Sequence, residues 1–363
     1  MSVEVYGRCS RFGKGILDDI RTTDCVVTDL YIYGYCEQEN KIIPIGNSSE
    51  IVSEQADDGT ESHVILRDFI GSDEACSIGV VGNPASDIQG SAICLGDFDG
   101  VHRGHMRLFE SAKACGKWGV LLLIRRNIHG SVLTTLAEKL EIIEQCGADY
   151  VIAADFSDTF AAKSPEEFAQ LLSDTMKIGT AVIGYDYRFG RGAAGDAALL
   201  TQLLSQKACV IVADAVTDGD EPIKSTAIRT LVRDGDMSDA ARLCGRFYHV
   251  RGKIVHGKQN GRKMGFPTAN FDISPEKILP PDGVYSGKIN NLDAVMNIGK
   301  NPTFNGEKRT FEVHIPDFHG DLYGKVLTAE IVRKIRGEIS FKNIDELKKQ
   351  IENDICAARH GKE

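Results

Sequence analysis

From about Ser91 the chain repeats one pattern several times: a short apolar run, then a stretch with helical periodicity. That rhythm constrains the fold more than any other feature, because strands alternating with helices build a parallel sheet with helices on its faces. Strand candidates fall at 92–95, 120–124, 150–153, 181–184 and 208–213, with helices such as 135–146 and 165–176 between them. The first helix after residue 95 carries Met106, Leu108, Phe109 and Ala112 on its apolar side. Ser164 and Glu167 are spaced as a capping box at the start of another.

After two short helices, near 226–233 and 237–244, the texture changes. Glycines and prolines punctuate short runs at 248–255, 283–289, 294–298, 310–315 and 326–333, which reads as a small antiparallel barrel followed by a helix over 343–359. A chain of 363 residues holds two or three domains of ordinary size. The divisions expected are an acidic N-terminal extension of unknown role (1–90), a Rossmann-like α/β domain (91–244) and an all-β domain with its C-terminal helix (245–363). In the extension only the run 25–35 reads as strand, and 47–62 reads as polar loop; the region reads as a poorly ordered leader or as an extra domain available to an unknown partner, and the strand run favours a small folded domain.

Charge follows the same divisions. The net −10 splits into about −10, about −5 and about +5 along the three regions. A chain this acidic, with no basic stripe, is not built to bind nucleic acid, where phosphate neutralisation dominates affinity. Small anions are a different matter, since local loops hold them without net charge. No apolar run approaches the roughly 20 residues of a membrane span, and the N-terminus has no signal-peptide pattern, so no membrane contact and a cytoplasmic location are expected. The ten cysteines never form CxxC, which suits reduced thiols.

The most informative local segment is Gly96-Asp97-Phe98-Asp99-Gly100-Val101-His102-Arg103-Gly104-His105, where the first strand should turn into its helix. Two imidazoles three residues apart, with a glycine allowing close backbone approach, can converge on phosphate at a helix N-terminus. In isolation HxxH equally describes two histidines satisfied within a turn; the strand-to-helix context and the glycines favour phosphate. Gly190-Arg191-Gly192-Ala193-Ala194-Gly195 spells a dinucleotide fingerprint, but it lies late in the α/β region and well past its strand, so a substrate loop is expected. Lys224-Ser225-Thr226-Ala227-Ile228-Arg229 puts two hydroxyls at a helix start and an arginine one turn in, suited to polyphosphate or simply to a cap. In the last region a glycine-rich basic loop, including Gly257, Gly261 and Arg262, runs into Pro267-Thr268-Ala269-Asn270. Such a loop can wrap phosphate, and the oxygens of Thr268 and Asn270 suit magnesium. Glu312 sits in an otherwise apolar strand, where it is either a general base for an alcohol or a residue of a solvated face.

In order along the chain, these segments resemble the bacterial bifunctional riboflavin kinase/FAD synthetase family from about Ser91 to Arg359. GDFDGVHRGH is similar to its nucleotidyltransferase signature, GYDYRFGRG to its flavin-side loop, and KSTAIR to its second nucleotide motif. GRKMGFPTAN, Gly283 to Tyr285, NIGKNPTF, FEVHIPDF and Lys334-Ile335-Arg336 are similar to its kinase module. The resemblance implies phosphorylation of riboflavin by ATP, with Glu312 as base and Thr268 and Asn270 placing Mg2+. It also implies adenylylation of FMN by a second ATP, with His102, His105 and Arg229 stabilising charge as pyrophosphate leaves. Nucleotide would meet Gly96, Asp97, Phe98, Gly100, Gly104, Ser225 and Thr226 in one half, and Gly257, Gly261 and Arg262 in the other; flavin would meet Asp186, Arg188 and Arg336.

Two departures from the family pattern stand out. The segment after Ile124 reads Arg125-Arg126-Asn127-Ile128-His129-Gly130, without the family's Pro-His-Pro type prolines, and residues 1–90 are additional. The first keeps open a riboflavin kinase with an impaired adenylyltransferase half. A non-catalytic flavin or nucleotide-binding regulator is the third reading, opposed by the joint presence of Glu312, Thr268 and Asn270.

Overall fold

The computed structural model describes residues 31–36, 41–47, 88–124, 132–257, 261, 264–303 and 306–360. Antiparallel strands β1 (Tyr31–Cys36) and β2 (Lys41–Asn47) come first. The α/β half follows with β3 (Ala92–Leu95), α1 (Arg103–Lys113), β4 (Trp118–Ile124), α2 (Leu136–Gln145), β5 (Tyr150–Asp155), α3 (Asp158–Ala161), α4 (Pro165–Gln170), β6 (Thr180–Gly184), α5 (Ala197–Leu204) and β7 (Cys209–Ala213). Its sheet runs β2-β1-β5-β4-β3-β6-β7, parallel from β1 to β7. Instead of standing apart, the described part of the N-terminal extension therefore widens this sheet at the β5 edge. Residues 25–30 and 47–62 lie, apart from Asn47, outside the described residues.

The central strands β3, β4 and β6 are almost wholly apolar and buried, as strands covered on both faces are. Along β3, Ala92 and Cys94 face a core with Leu108, Phe109 and Trp118, while Ile93 and Leu95 face one with Phe168, Leu172 and Leu200. Ile88, three residues before Ser91, is wholly buried in the second core. Helix starts follow local chemistry. Thr135 with Glu138, and Ser164 with Glu167, form reciprocal capping boxes, each cap contributing about 1 kcal/mol. The helix expected over 165–176 is α-helical only to Gln170 and then widens into a π turn, Leu171–Thr175. The wider turn brings Leu171, Leu172 and Met176 all into the core.

A small hairpin, β8 (Thr217–Asp218) and β9 (Glu221–Pro222), precedes α6 (Ser225–Asp234) and α7 (Met237–Cys244). Left-handed Gly235 and Gly245 end these two helices. A closed antiparallel barrel follows: β10 (Tyr248–Val255), β11 (Ala269–Ile273), β12 (Gly283–Ile289), β13 (Leu292–Thr303), β14 (Gly306–His314) and β15 (Val326–Arg336), in the order β10-β11-β14-β13-β12-β15. The terminal helix α8 (Ile344–His360) packs on β12, β13 and β15. Arg336 fixes it there through a forked pair of bonds to Asp354.

The two halves share a buried seam. Leu133, from the α/β half, belongs to the barrel-side core, and Val132 bridges Lys277. The Glu138 carboxylate accepts from Lys277 Nζ at 2.7 Å and from the backbone N–H groups of Thr135 and Arg251, while Lys277 also donates to the Leu133 carbonyl. Both side chains of this ion pair are fully buried. Burial pushes the Glu138 carboxyl up, but the Lys277 ammonium, His249 and its hydrogen bonds together bring it below its usual value.

Candidate functional site: a nucleotide crevice and a barrel carboxylate

The strand order decides where the first site lies. β3 continues on one side into β4 and on the other side into β6, which makes the carboxyl ends of β3 and β6 the switch point where open α/β sheets bind ligands. A cavity of about 480 Å³ opens there, lined among others by Gly96, Asp97, His102, His105, Asp186 and Arg188. Its deeper wall is apolar, with Leu121, Phe160 and Phe168.

The segment 96–105 reaches this crevice through an unusual turn. Phe98, Gly100 and Val101 all have positive φ, at 51°, 80° and 37°. For glycine this is ordinary, but a β-branched residue there is strained by roughly 1–3 kcal/mol. The turn delivers His102 to the N-cap of α1 and His105 to its first turn. Their rings stack with centroids 3.8 Å apart, an approach that needs Gly104: a Cβ there would lie 3.0 Å from the His102 ring. Phe98 is fully buried beneath His105, with ring centroids 5.1 Å apart. Phe98 and Gly100, expected at the nucleotide, thus shape the turn from behind and are not among the cavity's lining residues.

Burial, then the Arg246 charge, push the His102 imidazole down to about 4, and burial chiefly holds His105 well below its usual value. Both rings are neutral near pH 7. The Nδ1 atoms of both are buried without a partner among the described residues, which leaves Nε2 as the ring atom open to a ligand.

At the facing helix start, Ser225 and Thr226 line the cavity. Ser225 Oγ donates to the Asp99 carbonyl at 2.7 Å, tying α6 to the turn. Arg229 is placed differently from the expected anion contact: it donates to the Asp99 carboxylate at 2.8 Å and does not line the cavity. The same carboxylate accepts from the N–H groups of Leu133 and Thr134, so Arg229 is one of three donors that hold Asp99. Asp186 pairs with Lys224, and Arg188 lies near Asp196, all exposed. The glycine-rich stretch 190–195 folds as a tight turn bridged between Phe189 and Gly195, and its Gly190 and Ala193 line the crevice. Lys163 and Lys224 also line it without having been singled out; a lysine beside the KSTAIR hydroxyls was the available signal.

The second site lies on the barrel. Asn270, on β11, is the ladder partner of Glu312 on β14, and Asn297 on β13 pairs Glu312 from the other side. Thr268 Oγ1 donates to Glu312 Oε2 at 3.2 Å. The glycines have a steric role: a Cβ on Gly257 would fall 2.3 Å from Asn270 Nδ2, and one on Gly261 would fall 2.3 Å from the Phe266 carbonyl oxygen. Arg262 lies outside the described residues, as do Arg125 to Gly130. Arg336, expected at a flavin, spends its guanidinium on Asp354 and the Gly337 carbonyl. Its partner lies on a helix that the KIR motif gives no hint of.

Comparison with known proteins matches two families in order along the chain. A family model described as FAD synthetase matches residues 85–227, and one described as riboflavin kinase matches 244–361. The bifunctional riboflavin kinase/FMN adenylyltransferase of Bacillus subtilis (strain 168) is 34% identical over 284 residues, covering 73% of this chain and 90% of that protein. Its namesake in Haemophilus influenzae is 35% identical over 292 residues, covering 75% and 94%. Among solved structures, a Streptococcus pneumoniae chain titled macrolide-efflux protein superposes with a TM-score of 0.68 at 31% identity, covering 76% of this chain and 97% of that one. That title belongs to that protein; among the described residues here no helix is long and apolar enough to cross a membrane. With both family models matched in order and the relatives covered over nine-tenths of their length, the chain belongs to the bifunctional riboflavin kinase/FMN adenylyltransferase family.

Proposed function

We propose that the two sites divide the family's two reactions between them, phosphorylation of riboflavin to FMN on the barrel and adenylylation of FMN to FAD in the α/β crevice. The observation that carries this reading is convergence: His102, His105, Ser225 and Thr226 meet at one switch-point cavity, while Thr268, Asn270 and Glu312 meet on adjacent barrel strands.

On the barrel, Glu312 takes the proton of the ribityl 5'-hydroxyl as that oxygen attacks the γ-phosphorus of ATP, and ADP leaves. Thr268 and Asn270 fit Mg2+, because they offer hydroxyl and amide oxygens and the Gly257 backbone closes onto Asn270 with no room for a side chain. When bound, the ion neutralises charge on the phosphates.

In the crevice an FMN phosphate oxygen attacks the α-phosphorus of ATP and pyrophosphate leaves. Neutral His102 and His105 donate Nε2–H bonds to phosphate oxygens, which are stronger where water is excluded. Asp186 and Arg188 stand at the flavin side. Arg229 acts by fixing Asp99. The domains are taken as 91–244 and 245–363, with 1–90 available to a separate partner, and the cytoplasm is the compartment this ATP chemistry suits.

The deciding experiment gives purified protein magnesium and ATP with riboflavin in one reaction and FMN in another, and separates the products by chromatography. FAD in both is expected. FMN accumulating alone would leave a kinase joined to a silent crevice, the outcome that the changed segment after Ile124 would then explain.

A further inference from the structure

Arg246 lies inside the stretch matched by the riboflavin kinase model, just before β10, yet its guanidinium reaches into the other half. Nη1 donates to the Val101 carbonyl at 2.7 Å, and Nη2 donates to the Gly100 carbonyl. These are the two left-handed residues immediately before His102. The rest of the turn is tied down by its own domain: the Asp99 carbonyl by Ser225, the Asp99 carboxylate by Arg229, Leu133 and Thr134, and the Gly100 N–H by Thr134 Oγ1. Among the described residues, only the Gly100 and Val101 carbonyls of this turn are held from the kinase side. A strained Val101 persists only where its surroundings over-determine it, and a planar fork spanning two adjacent carbonyls does that in a way an ammonium cannot.

We propose that Arg246 is a positioning residue for adenylyl transfer: supplied by the kinase module, it clamps the Gly100–Val101 turn and so aims His102 into the crevice. The proposal rests on the reading of His102 as a phosphate ligand in FAD formation. It makes the α/β site incomplete until the barrel has docked, whereas the barrel site needs nothing from Arg246.

The test measures FMN formation from riboflavin and FAD formation from supplied FMN in Arg246→Met, Arg246→Lys and His102→Ala. Arg246→Met is expected to lower kcat for FAD formation about a hundredfold, the scale of an ångström-sized misplacement. The KM for FMN and the rate of FMN formation should stay within about twofold. Arg246→Lys, which keeps the charge but bonds one carbonyl at a time, should fall between wild type and Arg246→Met. If Arg246→Met loses both activities, Arg246→Lys decides: a selective loss of FAD formation supports the clamp, and no selective loss overturns it. Normal FAD formation in Arg246→Met while His102→Ala is dead overturns the clamp alone. Normal FAD formation in His102→Ala overturns the reading of the site beneath it.

Discussion

Replacing Lys277 by Met should be among the most damaging single changes outside either site. The substitution leaves the Glu138 carboxylate in a seam where both partners have no exposed surface, holding two backbone N–H donors but no cation. Removing one member of a fully buried pair costs about 3–5 kcal/mol, because the survivor keeps its desolvation penalty. At about 2–4 °C per kcal/mol for domains of 150–250 residues, the melting temperature should fall by roughly 6–20 °C. Since the pair joins the two halves, the single variant should also split unfolding into two steps, with the barrel and α/β half melting separately. Glu138→Gln with Lys277→Met removes both charges and should recover part of the loss, since no charge is left buried alone but the Gln amide oxygen can keep only one of the two backbone N–H bonds. Scanning calorimetry of wild type, both single variants and the double variant measures all of this. A Lys277→Met loss below 1 kcal/mol, or a double variant as unstable as the two singles added together, would refute the argument.

Three further outcomes follow from the same geometry. Gly104→Ala removes a glycine from a helix, which by itself stabilises by about 1 kcal/mol, but its Cβ would crowd His102; FAD formation should drop at least about tenfold with no loss of melting temperature and with FMN formation intact, and equal losses of both products would contradict this. Gly257→Ala should do the reverse, since its Cβ would overlap the Asn270 amide: product analysis should show FMN synthesis failing while supplied FMN is still converted to FAD. Acid should destabilise the fold early. Buried His102 titrates near 4 when folded and near 6.5 when unfolded, so between those values only the unfolded chain takes the proton; stability is complete above about 6.5 and falls by about 3 kcal/mol on the way to pH 4. His102→Gln should flatten that part of a urea-midpoint profile against pH, and an unchanged slope would show that the imidazole is not held neutral.

The α/β half was legible because its signals are local. Four-residue apolar runs such as Ala92 to Leu95 and capping boxes such as Ser164 with Glu167 depend on neighbours within a turn or two. The barrel was nearly as clear, except that β11 was read only as the PTAN loop; the alternation of Ala269 and Phe271 with Asn270 and Asp272 was the overlooked strand signal. Residue partners were less visible. Spacing places Arg229 one turn into a helix after two hydroxyls, but nothing in that spacing shows Asp99, 130 residues earlier, receiving its guanidinium. Arg336 likewise reads as a free cation until α8 brings Asp354 beside it. Lys277 carries no motif at all, and its role exists only where two domains meet. The place of β1 and β2 beside β5 is equally invisible in the sequence, because strand runs do not announce which sheet they join.

The seam also sets a schedule for the growing chain. Glu138 and Lys277 are 139 residues apart, and at about 5–20 residues per second the ribosome delivers the lysine roughly 7–28 s after the glutamate. Throughout that interval the nascent α/β half presents a hydrated carboxylate beside Leu133 on the face that will later be covered. Such a charge guards an unfinished apolar surface against chance association with other chains. The buried pair that ties the halves together can therefore close only after residue 277 has been made, and until then Glu138 stands without its counter-ion.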